Sequence, residues 1–206
     1  GAVHDGGVRA RQGAACIDCH GGVKAPAAHS YATSKHGIIA KLEGADWDWT
    51  RPLRAANYRT PNCAYCHMHA GEHDTGRVVA NDADPAATAR ARDAAKAVCY
   101  DCHAPRYIGR QDEVGVRMLE IARMKEREAD ALVRDAHGMY PDSELAEALR
   151  LLARMQAHVT NVRLGVAHQS PDYQWWHGQP ALDGDLLRIK GELSRLGRIR
   201  QNAASG

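Results

Sequence analysis

The sequence contains no phenylalanine. Its aromatic residues are 7 Tyr and 4 Trp among 206 residues. Aromatic side chains ordinarily dominate core burial, so their scarcity calls for another large apolar filler. No apolar run approaches the ~20 residues that a bilayer crossing needs, so no membrane span is expected. No signal peptide is visible at Gly1. The formal net charge is only +2, from 27 Lys and Arg against 25 Asp and Glu, so no basic excess argues for a nucleic-acid partner. No segment shows the alternation of a half-buried strand. Finally, no cysteine stands alone, and what accompanies the cysteines is the most informative feature of the chain.

All six cysteines fall into three copies of one pattern: Cys16-Ile17-Asp18-Cys19-His20, Cys63-Ala64-Tyr65-Cys66-His67 and Cys99-Tyr100-Asp101-Cys102-His103. C-x-x-C-H is the attachment signature of c-type haem. Two thiols three positions apart lie on the same side of one helical turn, where they can add to the two vinyl groups of one porphyrin. The histidine that follows then faces the iron as proximal ligand. A four-cysteine zinc site would not require a histidine after each second cysteine, and three pairs would leave one unmatched. A thioredoxin-like motif would need one pair near a βαβ pattern, which is absent. A disulfide across C-x-x-C is rarely structural. The expectation is therefore three covalent haem c groups, with His20, His67 and His103 as proximal ligands. Three porphyrins would supply the missing apolar filler, and their propionates would make the holoprotein more acidic. Covalent haem is fitted after export, so the chain reads as a mature or trimmed form of a periplasmic or otherwise exported protein.

Along the chain, residues 1 to 15 carry no periodicity and read as an extended or partly disordered lead-in. Residues 16 to 44 are turn-rich and hold His29 and His36. Residues 45 to 62 read as irregular loop, with Trp47 and Trp49 either covering a haem face or packing in a core. Met68, His69 and His73 follow the second motif. Asp84 as N-cap and Pro85 at the first helical position open a helix from Ala86 to Val98, which runs into the third motif. Residues 112 to 137 form a long helix with Val114, Met118, Ile121, Leu132 and Ala136 near one face. Gly138 and Pro141 stop it, and Asp142 or Ser143 caps the next. In that second long helix Leu145, Leu149, Leu152, Met155, Val159 and Val162 recur at three- and four-residue steps. In a third, Leu182, Leu186, Ile189, Leu193 and Leu196 form a 4-3-4-3 seam, which packs within the chain or against a symmetry mate. The fold class is mainly α, a multihaem cytochrome c with little regular strand. Residues 1–110 form a three-haem, haem-wrapping region, and residues 111–206 a bundle of long antiparallel helices that oligomerises.

Nine of the 12 histidines are not proximal ligands. A second iron ligand must come from the opposite face of the porphyrin. His69 is too near His67 to do this for its own haem, and His73 suits a neighbouring haem better. His29 and His36 are free enough to ligate some iron, and His158 and His168 sit on or just past the second long helix. Methionine is the rival ligand, but Met118, Met124 and Met155 look like helix-face packing residues, so His/His coordination is expected.

The run from Cys16 through His20, His29, Ser34-Lys35-His36-Gly37, Pro61, Cys63 through Met68 and His73 resembles the last three haem sites of the octahaem hydroxylamine oxidoreductase family. The stretch His168-Gln169-Ser170-Pro171-Asp172-Tyr173-Gln174-Trp175-Trp176-His177-Gly178 is similar to that family's motif between its last two long helices. The resemblance covers residues 14 to 200, approximately. It implies a periplasmic, mostly helical multihaem redox protein whose long C-terminal helices associate as a trimer. It implies that His29, His36, His73 and His168 are distal ligands, with His158 a further candidate. The family's substrate haem lies in an N-terminal part that has no counterpart here, so only the electron-conducting end carries over. The function expected is electron transfer by a trihaem c-type cytochrome to a redox partner, which could be another multihaem chain. The alternative is a subunit or fragment of a multihaem oxidoreductase acting on hydroxylamine, hydrazine or nitrite. In that alternative a tyrosine cross-linked to a neighbouring subunit's substrate haem, as in the family's oxidising members, would match Tyr173 first and Tyr140 second.

Overall fold

A computed structural model of the protein describes residues 6–51, 59–69 and 84–205. His73 and Pro52 lie outside the described residues. Among those described, every regular element is helical, and ten α-helices follow one another in chain order. The chain divides into two compact units between Glu113 and Val114.

The first unit is a set of short helices: α1 (Gly6–Arg11), α2 (Gly13–Cys19), α3 (Pro26–Ala32), α4 (Lys35–Glu43), α5 (Cys63–His67) and α6 (Pro85–Cys99). The helices α1 and α2 correct the expectation of an extended lead-in. Intrinsic propensity is weak over this Gly-rich stretch, and tertiary contacts override it. The Arg11 guanidinium donates to the carbonyls of Trp49 and Thr50 at 3.2 Å each, and the Asn62 side-chain amide donates to the Arg11 carbonyl. Trp47 is buried and packs against Trp49 with ring centroids 5.5 Å apart. The Trp49 indole N–H donates to the Gly44 carbonyl at 3.0 Å. α6 starts as its sequence predicts: Pro85 occupies the first turn and the Asp84 carboxylate accepts the Ala87 N–H at 2.8 Å.

The helix α7 (Pro105–His137) begins seven residues before the expected boundary at 112. A proline in the first turn gives up an N–H that would have no helical partner there. The helix α8 (Asp142–His168) is entered from Pro141 without a side-chain cap, so neither Asp142 nor Ser143 is the cap. Asp142 instead lies in the first turn, where its charge suits the helix dipole. The short α9 (Pro171–Gln174) and the long α10 (Gln179–Ser205) complete the chain.

In the second unit one apolar cluster joins Ala122, Ala129 and Val133 of α7, Ala148, Leu151, Met155, Val159 and Val162 of α8, and Leu182, Leu186 and Ile189 of α10. Ala136, Leu145 and Leu196 form a second cluster, at the end of α7, the start of α8 and the end of α10. These pairings make α8 antiparallel to both of its partners. The Leu182–Leu196 seam is thus spent inside the chain, where each fully buried Leu or Ile contributes roughly 1.5–3 kcal/mol. The α7 stripe follows expectation at Ala136, which is buried, and at Leu132, which packs against the core, and differs from it elsewhere. Gly115, Ala122, Ala129 and Ala136, at seven-residue spacing, are buried, while Val114 and Ile121 are each 45% exposed and Met124 is 56% exposed. Met155 packs as expected, whereas Met124 does not. Small residues face the partner because they let helices approach closely, as ridges settle into grooves. The large apolar Val114 and Ile121, which dominate a periodicity reading, fall at the preceding position.

The turn between α8 and α10 is pinned by two glycines. A Cβ on Gly165 would lie 2.6 Å from the Gln174 nitrogen, and one on Gly178 would lie 2.5 Å from the Tyr173 carbonyl oxygen. Backbone on both sides leaves no room to relax, so Gly165→Ala or Gly178→Ala should each destabilise the protein by about 1–3 kcal/mol, as overpacking does. Gly191 of α10 has nothing within 4 Å of a Cβ, and Gly191→Ala should stabilise by roughly 0.4–1 kcal/mol. Thermal unfolding of the three variants checks the opposite signs; a Gly165→Ala protein as stable as Gly191→Ala would contradict this packing.

Candidate haem-binding turns

Each C-x-x-C-H run closes one helical turn. The His20 N–H donates to the Cys16 carbonyl at 2.9 Å, and the His103 N–H donates to the Cys99 carbonyl at 2.9 Å. The second motif is the whole of α5, from Cys63 to His67. In each case the two thiols and the imidazole stand on one turn, as thioether attachment requires. Asn62 launches α5: its side-chain oxygen accepts the Tyr65 N–H at 3.3 Å, and its amide reaches back to Arg11, just before α2. The Asn–Cys step is an N-cap signal that a reading focused on cysteines passes over.

The three turns are neighbours, with the second in the middle. A Cβ on Gly13, at the start of α2, would touch the Cys63 sulfur at 3.6 Å. The Tyr65 hydroxyl donates to the Asp101 carboxylate at 2.5 Å, tying the second turn to the third. The thiols reflect this crowding. Burial, with Cys16 next in weight, pushes Cys63 up to about 11. Loss of hydration, then the charges of Cys99, Cys63 and Cys102, push Cys66 up to about 12. Burial also raises Cys99. A thioredoxin-like cysteine has a depressed pKa, and the shifts here run in the opposite direction.

The α3–α4 pair presents His29 and His36. Ser34 caps α4, its hydroxyl oxygen accepting the Gly37 N–H at 3.1 Å. A Cβ at Gly37 would overlap the Tyr31 carbonyl, so glycine alone lets α4 close on α3. The Thr60 hydroxyl donates to the His36 carbonyl at 3.3 Å, and the Tyr31 hydroxyl donates to the Pro61 carbonyl at 2.8 Å. Burial, then Cys63 and Cys66, raise the Tyr31 pKa, so the hydroxyl keeps its proton and its role as donor. The S-K-H-G run is thereby explained: Ser34 and Gly37 fix the turn, and Thr60 and Tyr31 lock it to the strand of chain entering the second motif.

This arrangement brings His36 opposite His103, with ring centroids 5.9 Å apart and planes inclined by 35°. Two imidazoles that each place a nitrogen about 2 Å from one metal ion have centroids roughly 6 Å apart, so the pair fits a shared iron. Tyr107 backs His103 at 5.3 Å. Burial first, then the neighbouring His103, lower the His36 pKa. Burial first, then His20, lower that of His67. Both effects favour the neutral imidazole that a metal requires.

The remaining candidates have other settings. His29 lies on α3 and His168 ends α8. His158 of α8 has Nε2 3.5 Å from the Asp185 carboxylate and Nδ1 3.3 Å from the His177 carbonyl. Both ring nitrogens thus face acceptors inside the second unit. Asp185 is itself buried, and the Arg154 Nε donates to its two oxygens at 3.0 and 3.1 Å; the sequence pattern gave no sign of that pair. Tyr173 is 5% exposed and packs on the His177 ring at 5.0 Å, with its pKa raised by burial and then by Asp172. Tyr140 packs beneath the Arg200 guanidinium at 5.7 Å.

Helices only, among the described residues, and three adjacent C-x-x-C-H turns with an imidazole facing one of them define a multihaem c-type cytochrome. Residues 4–147 match the family described as "Seven times multi-haem cytochrome CxxCH"; the chain belongs to that family, whose members carry covalent haem c. Over 68 residues it is 37% identical to the "Probable nitrite reductase-hydroxylamine oxidoreductase fusion protein" of Kuenenia stuttgartiensis, a match covering 31% of this chain and 8% of that protein. Its fold matches a chain of the Kuenenia stuttgartiensis reducing HAO-like protein complex Kustc0457/Kustc0458 with a TM-score of 0.75 and 21% identity, over 97% of this chain and 58% of that one. The chain therefore spans a small part of the curated relative and little more than half of the structural one.

His36→Ala should leave the protein folded and produce a high-spin, water-ligated signal at a single haem. Optical and paramagnetic resonance spectra check this; an unchanged all-low-spin spectrum would remove His36 from the iron.

Proposed function

We propose that the chain is an electron-transfer cytochrome carrying three haem c groups, one on each C-x-x-C-H turn, with bis-histidine coordination and no substrate site of its own. The observation that most supports this reading is the contact of the three turns in series, together with the His36–His103 pair. Haem c supplies a one-electron iron couple, and His/His ligation keeps its potential below that of Met/His centres. The chain's own residues do the rest. Cys16 and Cys19, Cys63 and Cys66, and Cys99 and Cys102 anchor the porphyrins. His20, His67 and His103 take the proximal positions. His36 takes the distal position opposite His103, while His29, His73 and His168 are distal ligands by resemblance. His158 is the weakest candidate, because Asp185 and the His177 carbonyl already occupy its nitrogens. Tyr173 serves as a packing residue of the α8–α10 turn.

In this reading residues 1–110 conduct electrons and residues 111–206 organise assembly. No described helix is long and apolar enough to cross a membrane, and the protein works after export, in the periplasm of a bacterium with such a compartment. A redox partner with haems of its own fits the two-component HAO-like complex whose fold it shares. The exposed Val114, Ile121 and Met124 stripe of α7 offers a surface for the homo-oligomer, a trimer, that the resemblance implies. A monomer mass by light scattering across a wide concentration range would count against that assembly.

A second reading is favoured by the 37% identity to a segment of the nitrite reductase–hydroxylamine oxidoreductase fusion protein: the chain would be part of a larger oxidoreductase acting on hydroxylamine, hydrazine or nitrite. Ligand access separates the two. Fully bis-histidine irons have no open position, so cyanide, nitric oxide and hydroxylamine should leave the spectrum of the purified protein unchanged. Prompt binding of any of them at one haem favours the oxidoreductase.

A further inference from the structure

The chemistry of haem attachment fixes the two cysteines and the histidine of each motif and leaves the two intervening positions open. In this chain two of those open positions are joined. Tyr65, just before Cys66 in the second motif, donates its hydroxyl to Asp101, just before Cys102 in the third, at 2.5 Å. That length belongs to a strong O–H···O⁻ bond between a hydroxyl and a carboxylate. It spans 36 residues of sequence and connects the α5 turn to the turn that ends α6.

Both ends are held. The Tyr65 ring stands edge-on to His69, with centroids 5.5 Å apart. The Asp101 backbone is fixed by its N–H to the Val98 carbonyl at 3.3 Å, and the Cys102 N–H binds the Cys99 carbonyl at 3.2 Å. Each partner is the immediate neighbour of a haem-bearing cysteine and lies two residues from a proximal histidine. A shift at this bond therefore passes directly to the attached porphyrins, with no flexible segment to absorb it. The first and second motifs are joined differently, through the Asn62 amide and the Arg11 backbone ahead of the motif.

We propose that the Tyr65–Asp101 hydrogen bond is the positioning element that fixes the separation of the second and third haems and thereby their electronic coupling. This rests on the reading that both motifs carry haem. The exchange it serves is a single electron passing between the two haems, with no bond made or broken and no proton needed. Tyr65 and Asp101 are positioning residues and touch no substrate.

The test compares Tyr65→Phe, Asp101→Leu and Asp101→Asn in the haem-loaded full chain. Tyr65→Phe keeps the ring and its contact with His69 while removing the donor. Asp101→Leu removes the acceptor, and Asp101→Asn keeps an oxygen acceptor without the charge. Haem content by mass and the thermal midpoint report on folding. Paramagnetic resonance of the oxidised protein reports the magnetic interaction between neighbouring low-spin haems. Tyr65→Phe and Asp101→Leu should keep their full haem complement and lose the interaction between the second and third haems, giving the spectrum of an isolated third haem, and Asp101→Asn should retain it. Identical coupled spectra for the wild type and a fully loaded Tyr65→Phe would overturn the positioning role and leave the electron-transfer reading intact. A wild type lacking haem on the second or third motif would overturn both.

Discussion

Two thiols and an imidazole on one helical turn commit a porphyrin to one side of a short helix, and an iron bound there still has an open face. The first unit gathers three turns of this kind. The α5 turn has only five residues, far too few to be stable as an isolated helix. It is held by its Asn62 cap, by the α1–α2 pair behind it and by Tyr65 reaching to the third motif. The α3–α4 pair carries His36, whose ring lies 5.9 Å from that of His103. Ser34, Gly37, Thr60 and Tyr31 fix that approach within a few ångströms.

The second unit solves a different problem. With no phenylalanine available, its core is made of Leu, Ile, Val, Met and Ala, and closeness compensates for the missing bulk. Gly115, Ala122, Ala129 and Ala136 set α7 against its partners, and Gly165 and Gly178 let the α9 turn sit on α8. The one buried carboxylate among the long helices, Asp185, is met by Arg154 in a two-pronged pairing. A buried charge of this kind is tolerable only when it is paired, and His158 and Arg188 each stand 3.5 Å from the same carboxylate.

Much of this was legible in the sequence. The cysteine arithmetic pointed to covalent haem c, in agreement with the family match, because thioether chemistry dictates residue type and spacing with little latitude. The α6 start and the α8 and α10 stripes followed from capping and periodicity. Three features were not legible, each for a physical reason. Helices α1 and α2 are held by contacts with residues about forty to fifty positions away, such as Trp49 and Asn62, which no local window contains. Much of the buried face of α7 is glycine and alanine, at Gly115, Ala122 and Ala129, which a hydrophobicity pattern barely registers beside Val114 and Ile121. The pairing of Tyr65 with Asp101, and the placement of His36 opposite His103, depend on which short helices become neighbours. Local sequence names candidates for such contacts and cannot join them.

The proposed electron path requires that each of the three C-x-x-C-H turns carry its own covalent haem. Peptide mapping of the natively produced protein by mass spectrometry tests it most directly. Three peptides are expected, containing Cys16 and Cys19, Cys63 and Cys66, and Cys99 and Cys102, each heavier by one haem, with the Tyr173 peptide unmodified. A motif peptide at bare polypeptide mass, or haem attached to Tyr173 without cysteine, would contradict it.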